Sequence, residues 1–264
     1  MFLKTLLLSI ILVVSGYPNA IAAEIMDLSH VHNIKIIGDR ILFGTHEGLY
    51  EYKNMKNIQL VSGEKFDVMG LNVSDNLLFA SGHPGINSKL PQPVGLLKSI
   101  DGGKKWKKVS LQGEVDFHLL EVSKNEIYGG DSGSGDLLYS KDLGKTWSKQ
   151  GKNTFLDIAP NPSKAQSAIA IRQGKLFKTD NAFKSSKAIS LKTKVSGIEW
   201  NTKRLIASSG RELLASADQG DSWKKVYTFD QEIAVLSHST ALIVVASGAS
   251  IYTSIDNGKT FQSK

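Results

Sequence analysis

SKDLGKTW, Ser140 to Trp147, is one of four copies of a single spelling. SIDGGKKW (Ser99 to Trp106), SADQGDSW (Ser216 to Trp223) and SIDNGKTF (Ser254 to Phe261) repeat it, and all read S-x-D-x-G-x-x-aromatic. The serines stand 41, 76 and 38 positions apart, and 76 is twice 38, so an eroded copy is expected at position 178. KTDNAF, Lys178 to Phe183, stands there with Asp180 in the aspartate's place. Each box follows a short apolar strand, as in GLLKS (Gly95 to Ser99), DLLYS (Asp136 to Ser140) and ELLAS (Glu212 to Ser216). GLYEYKN (Gly48 to Asn54) matches that strand at the start of the series. Self-similarity at a fixed period is the mark of a repeat architecture.

The S-x-D-x-G-x-T-W pattern resembles the Asp-box, or BNR, repeat of sialidase-like β-propellers. In that family the box is a turn between the third and fourth strands of a blade. The resemblance implies that its aspartate accepts turn amides and its aromatic packs between sheets. Asp101, Asp142, Asp218 and Asp256 are therefore expected to be structural, as turn aspartates commonly are, and Trp106, Trp147 and Trp223 to be core. Between boxes, IKIIGDRILFGT, GLNVSDNLLFASG, LLEVSKNEIYGG and IEWNTKRLIASSG are short apolar runs broken by polar turns, with no sustained helical period. The expected fold is all-β: a six-bladed β-propeller with Asp-box repeats, one domain over residues 24–264, in blades of about 40 residues. No stretch remains for a seventh blade.

The first residues, MFLKTLLLSIILVVSGYPNAIAA, have an early lysine, an apolar run from Leu6 to Val14 and a small-residue site near Ala22, the plan of a cleaved signal peptide over 1–23. The run is shorter than the roughly 20 residues of a membrane helix. The reading is therefore of a periplasmic or secreted protein without a transmembrane segment. With no cysteine, disulfides and thiolate chemistry are excluded. The formal net charge is +7, and its lysines are scattered through turns, the pattern of a solvated surface; no nucleic-acid partner is expected.

Aligning the first strand of each blade superposes His30-Val-His32, Asp67-Val-Met69 and Asp116-Phe-His118, and Asp157 continues the inner row into blade 4. In blades 5 and 6 the same positions hold Lys194-Val-Ser196 and Gln231-Glu-Ile233. In a propeller these strand starts converge on one mouth of the channel, opposite the boxes. The loops between second and third strands open there too: THEG (Thr45 to Gly48), SGHPG (Ser81 to Gly85) and GGDSGSGD (Gly129 to Asp136) add His46, His83 and Asp131. The long segment INSKLPQPV (Ile86 to Val94) extends one of them, and loops longer than a repeat requires are binding candidates. Five of the six histidines map to this mouth, and only His238 does not.

Three chemistries fit such a cluster. As a metal site, His30, His32, Met69 and His118 would be ligands, for copper if the thioether takes part and otherwise for zinc. As a ligand site for a small molecule or glycan, His46, His83, Asp131 and Asp157 would line the pocket. As a glycoside hydrolase, the activity the resemblance implies, Asp67 and Asp116 would be the carboxylate pair. Sialidases, however, use three arginines and a tyrosine nucleophile. Arg40, Arg172 and Arg204 are placed near first-to-second strand turns, away from the cluster, so sialidase chemistry is not expected. A non-catalytic scaffold for an envelope protein is the remaining alternative, resembling Asp-box propellers that serve in envelope or photosystem assembly. A monomer that binds a metal or ligand at the channel mouth of blades 1–3 is the preferred reading, ahead of hydrolysis.

Overall fold

The computed structural model describes residues 28, 30–53, 57–61 and 63–263; the signal peptide expected at 1–23 lies outside the described residues. Six four-stranded antiparallel sheets follow one another along the chain, each drawn from four consecutive strands. The innermost strands are Val31–Ile37, Phe66–Ser74, Phe117–Ser123, Asp157–Pro160, Gly197–Trp200 and Ile233–His238. Each packs beside the next, and the sixth packs beside the first, so the sheets are the blades of a closed six-bladed propeller. Among the described residues there is no helix, hence none long and apolar enough to cross a membrane.

The second strand of each blade is covered on both faces, which is why it reads as a near-continuous apolar run instead of alternating. Arg40–Thr45, Glu126–Asp131, Ala168–Arg172 and Leu205–Ser209 are buried almost throughout. The core is divided into six apolar clusters, one in each seam between blades. The seam that closes the ring packs Ile34, Ile41 and Phe43 of blade 1 against Val244 and Ile251 of blade 6. Trp106 stands edge-on to Phe66, and Trp147 tilts over Phe117, with ring centroids 5.6 and 5.1 Å apart. The box aromatics thus fill seams.

Each full box folds the same way. The serine hydroxyl donates to the aspartate at 2.7–2.8 Å and accepts the glycine amide at 2.8–2.9 Å. The same carboxylate accepts the amide four residues beyond it, at 2.9–3.0 Å. Hydrogen bonds from the Thr146, Ser222 and Thr260 hydroxyls, then from backbone amides, hold Asp142, Asp218 and Asp256 at a pKa of about 2. Arginines stitch neighbouring blades at this face: Arg40 donates to the carbonyl of Gly102 and Arg204 to that of Asn257, the same box position in blades 2 and 6.

Two alignments need correction. In the eroded box of blade 4, Asn181 and not Asp180 takes the aspartate's role. Thr179 donates to Asn181, and the Ser185 amide donates to Asn181 Oδ1 at 2.9 Å, while Asp180 pairs with Lys164 instead. Asparagine keeps the acceptor oxygen the turn needs, so the nearby aspartate drew the count one residue short. In blade 6 the inner strand is bulged at Ala234, which moves Glu232 and Ala234, and not Gln231 and Ile233, into the equivalent row.

Candidate functional site

Regular alternation does not by itself bring the histidines together. The inner strands of blades 1, 2 and 3 each carry a β-bulge where pairing skips one residue, and the skipped residues are His32, Met69 and His118. A bulge adds local twist and re-aims a side chain. Two groups result, each spanning one seam. His32 and His46 of blade 1 meet Asp67 of blade 2, and His83 of blade 2 meets Asp116 and His118 of blade 3. In both, a histidine at the end of a second strand, His46 just after Arg40–Thr45 and His83 within Leu77–Pro84, meets the aspartate at the start of the next blade.

In the first group, His46 Nδ1 lies 2.8 Å from Asp67 Oδ2, and His32 Nε2 lies 3.3 Å from His46 Nδ1 and 3.4 Å from Asp67 Oδ1. In the second, Asp116 Oδ2 is 2.8 Å from His118 Nε2 and 3.4 Å from His83 Nε2. One donor atom from each residue falls within 4.8 Å of the others in its group. Ligands about 2.0–2.1 Å from a tetrahedral zinc stand ~3.3 Å apart, so several of these spacings already suit an ion. Asp116 Oδ1 is buried without a hydrogen-bond donor, and Asp67 Oδ1 has only the 3.4 Å approach of His32 Nε2. Burial lowers the pKa of His32; Asp67 opposes this, and His46, His118 and His30 reinforce it, favouring the neutral ring that a metal requires.

The other candidates are placed as follows. His30 stands edge-on to His46, centroids 4.9 Å apart. Met69 holds the middle bulge, between those of His32 and His118 in the ring, and its carbonyl accepts from Asn33. Asp131 is buried, and its carboxylate is taken up by the amides of Asp116, Gly133 and Ser134, so it positions Asp116. Gln92, from the long loop of blade 2, contacts His83 Nδ1 at 3.2 Å. His238 lies apart, beside Asn201, with burial and then Arg204 and Lys203 driving its pKa down to about 3. Arg172 corrects the sequence reading: it ends a second strand, on the histidine face, because the first-to-second connection of blade 4 is longer than in the alignment. Its guanidinium is 3.8 Å from the Phe177 ring centroid.

Beneath the mouth lies a polar hub. Lys35 Nζ donates to Glu199 at 2.8 Å and to Glu121 at 3.3 Å, joining blades 1, 5 and 3, and Asn72 of blade 2 donates to Glu121 at 2.7 Å. These four residues share one row of the inner-strand alignment, the position next to the apolar residue that follows the histidines, where a lone lysine among carboxylates was the available cue. The hub divides the channel into cavities of about 190 Å³ on the histidine side and about 130 Å³ beyond. Asp157 is part of this interior: it accepts the amides of Ile158 and Ile198, each at 2.8 Å, tying blade 4 to blade 5.

Burial works against the Lys35 ammonium, but Glu121 and Glu199 outweigh it and keep the amine protonated. Burial raises Glu121 well above the usual carboxylate range, with Lys35 offsetting part of the rise. Burial, then the Glu199 charge, lifts Asp157 to about 6. A carboxyl raised on folding stabilises below its unfolded pKa and loses that contribution as pH rises through the folded value. Urea unfolding should therefore show wild type losing stability relative to Asp157→Asn between pH 4 and pH 6, then running parallel. A constant difference across that window would refute the assignment.

The sequence profile of the BNR/Asp-box repeat matches residues 138–149, in blade 3. No curated protein sequence is significantly similar to the chain. Among solved structures, the GH74 xyloglucanase from Xanthomonas campestris aligns with TM-score 0.58 at 11% identity, over 89% of this chain and 45% of that one. YCF48 bound to D1 peptide aligns with TM-score 0.55 at 15% identity, over 90% and 82% of the two chains. A chain of the nidogen/laminin complex gives 0.63 at 10% identity, over 86% and 93%. The protein spans less than half the length of the GH74 enzymes it resembles. At these identities the likeness is one of fold. The chain is a six-bladed β-propeller carrying the BNR/Asp-box repeat.

Proposed function

We propose that this is an exported propeller that binds divalent transition-metal ions at the channel mouth, one at His32, His46 and Asp67 and one at His83, Asp116 and His118. The observation that carries this reading is the repeated gathering of two imidazoles and one carboxylate from adjacent blades, each with a buried carboxylate oxygen that makes no hydrogen bond. Imidazole and carboxylate without thiolate suit zinc, copper(II) or nickel, and zinc is the first reading. Copper is the second reading, on the strength of Met69 in the bulge between those of His32 and His118. Export rests on the leader-like first residues.

Glycoside hydrolysis finds less support. Asp67 and Asp116 each lie against two imidazoles, whereas a hydrolytic pair faces one another across the scissile bond. Arg40 and Arg204 are committed to box carbonyls and Arg172 lies over an aromatic ring, so no arginine trio forms among them.

Zinc-loaded protein, freed of excess ion, should carry two ions per molecule by elemental analysis. His118→Ala should carry one and His32→Ala with His118→Ala none. Because each ion joins two blades, saturating zinc should also raise the melting temperature, each site adding about 2.7 kcal/mol at a hundredfold excess over Kd. Wild-type protein that retains less than half an ion would end this reading.

A further inference from the structure

The two groups differ in what borders them. Beside the first stands an exposed third imidazole, His30, held at φ +47°, a left-handed conformation uncommon for a residue other than glycine. Its nitrogens lie outside the 4.8 Å group of His32, His46 and Asp67, and a turn of its exposed side chain would carry it towards an ion seated against His46, whose ring centroid is 4.9 Å away. The second group is bordered instead by the Gln92 amide at His83 Nδ1, by the Ser132 hydroxyl, which donates to Asp116 Oδ2 at 2.5 Å, and by the Asp131 carboxylate, which is taken up by backbone amides including that of Asp116. Asp116 is 8% exposed and forms the floor of that group, while the side chains of His83 and His118 are 35% and 43% exposed. An ion held there would have its solvent-facing side towards the channel mouth, where both imidazoles are exposed.

Four protein donors close a zinc site, whereas three leave a place for an exchangeable ligand. We infer that the two sites divide these roles. His30, His32, His46 and Asp67 close the first, and the ion on His83, Asp116 and His118 takes a small exogenous anion such as a carboxylate or a phosphate oxygen. The inference rests on the metal reading above. Deeper in the channel the one lysine or arginine lining the cavity among the described residues, Lys35, is already held by Glu199 and Glu121, so it is not free to draw an anion inward from the mouth. Gln92 acts as a positioning residue. Gln92 Nε2 stands 3.2 Å from His83 Nδ1; when Nε2 of His83 binds the ion and Nδ1 carries the proton, turning the amide over puts its oxygen in that place as the acceptor and fixes tautomer and ring orientation. This accounts for the extra length of blade 2. The loop is pinned by Leu90 against the seam of blades 1 and 2, by the Val94 amide to the Gly82 carbonyl at 3.0 Å, and by the Gly113 amide to the Pro93 carbonyl at 2.8 Å.

The test uses the full chain, stripped with a chelator, loaded with cobalt(II) as a spectroscopic stand-in for zinc and titrated with azide. Wild type should bind two cobalt ions, with the visible bands of one responding to a single azide. His30→Ala should open the first site and raise the stoichiometry to two azides, with His30→Gln as a second variant to separate loss of the ligand from loss of fold. Gln92→Ala should weaken the azide-responsive ion about 10-fold or more and leave the other unchanged, with partial recovery in Gln92→Glu. Two cobalt ions with no azide response, or with two azides already in wild type, would overturn the division of roles while leaving the metal reading intact. An unchanged single azide in both His30 variants would do the same. Absence of any bound cobalt or zinc would remove both.

Discussion

Lys35→Met should be among the most destabilising single substitutions in this protein, at roughly 3–5 kcal/mol. The methionine fills similar volume and removes the positive centre that Glu121 and Glu199 share, leaving buried carboxylates facing one another with Asp157 nearby. The cost arises from the uncompensated charges more than from the lost ion pair, so neutralising them should restore much of the stability. Lys35→Met combined with Glu121→Gln and Glu199→Gln is expected to recover most of the loss. Urea midpoints of the three proteins decide the matter, and a Lys35→Met midpoint close to wild type would remove the hub from the account of the fold. Among the described residues no strand is exchanged between first and last blades, and ring closure depends on this hub together with the apolar seam of Ile34, Phe43, Val244 and Ile251.

Gly144→Ala is expected to cost roughly 2–5 kcal/mol, the sum of a left-handed alanine and an overpacked seam. Gly144 sits at φ +82°, and a Cβ there would lie 2.1 Å from Leu96 Cδ2 and 3.3 Å from the Trp147 ring. Leu96 is fully buried, so it has no room to withdraw. Gly135 provides the control. It has φ +68° just after the exposed turn of Ser132 to Ser134, with nothing within 4 Å of an added Cβ, and Gly135→Ala should cost only about 1–2 kcal/mol. Comparable melting temperatures for the two variants would show that the box glycine is required for its dihedral alone and not for the approach of neighbouring blades.

The box was legible because its chemistry is local. An acceptor two residues beyond a hydroxyl, a glycine two further and an aromatic three beyond that complete one turn, and the spelling recurs wherever the turn does. The same locality explains the slip in blade 4. Asn181 serves the turn as an aspartate would, so counting towards an acid selected Asp180. The row of inner-strand starts was legible by alignment, and it brought His32, His118, Asp67 and Asp116 to one mouth. The pairing within that row was not. A strict period of two puts Asp116 and His118 on one side of a strand, but the bulges at His32, Met69 and His118 break that period and decide which seam each imidazole enters. The roles of Asp131 and Asp157 were hidden for a related reason. Their carboxylates are taken up by backbone amides, including those of Asp116 and Ile198 in the strands beside them, and amide positions have no signature in residue type.

By itself, then, the sequence determined the blade count, the box turns and the face on which imidazoles and carboxylates collect, because each follows from residue types at fixed short offsets. Only the tertiary structure decided that they form two separate groups across two seams, that Met69 sits in the bulge between those of His32 and His118, and that a lysine held by two glutamates divides the channel beneath them. Those outcomes depend on how neighbouring blades twist and pack, and that packing brings together atoms from strands tens of residues apart.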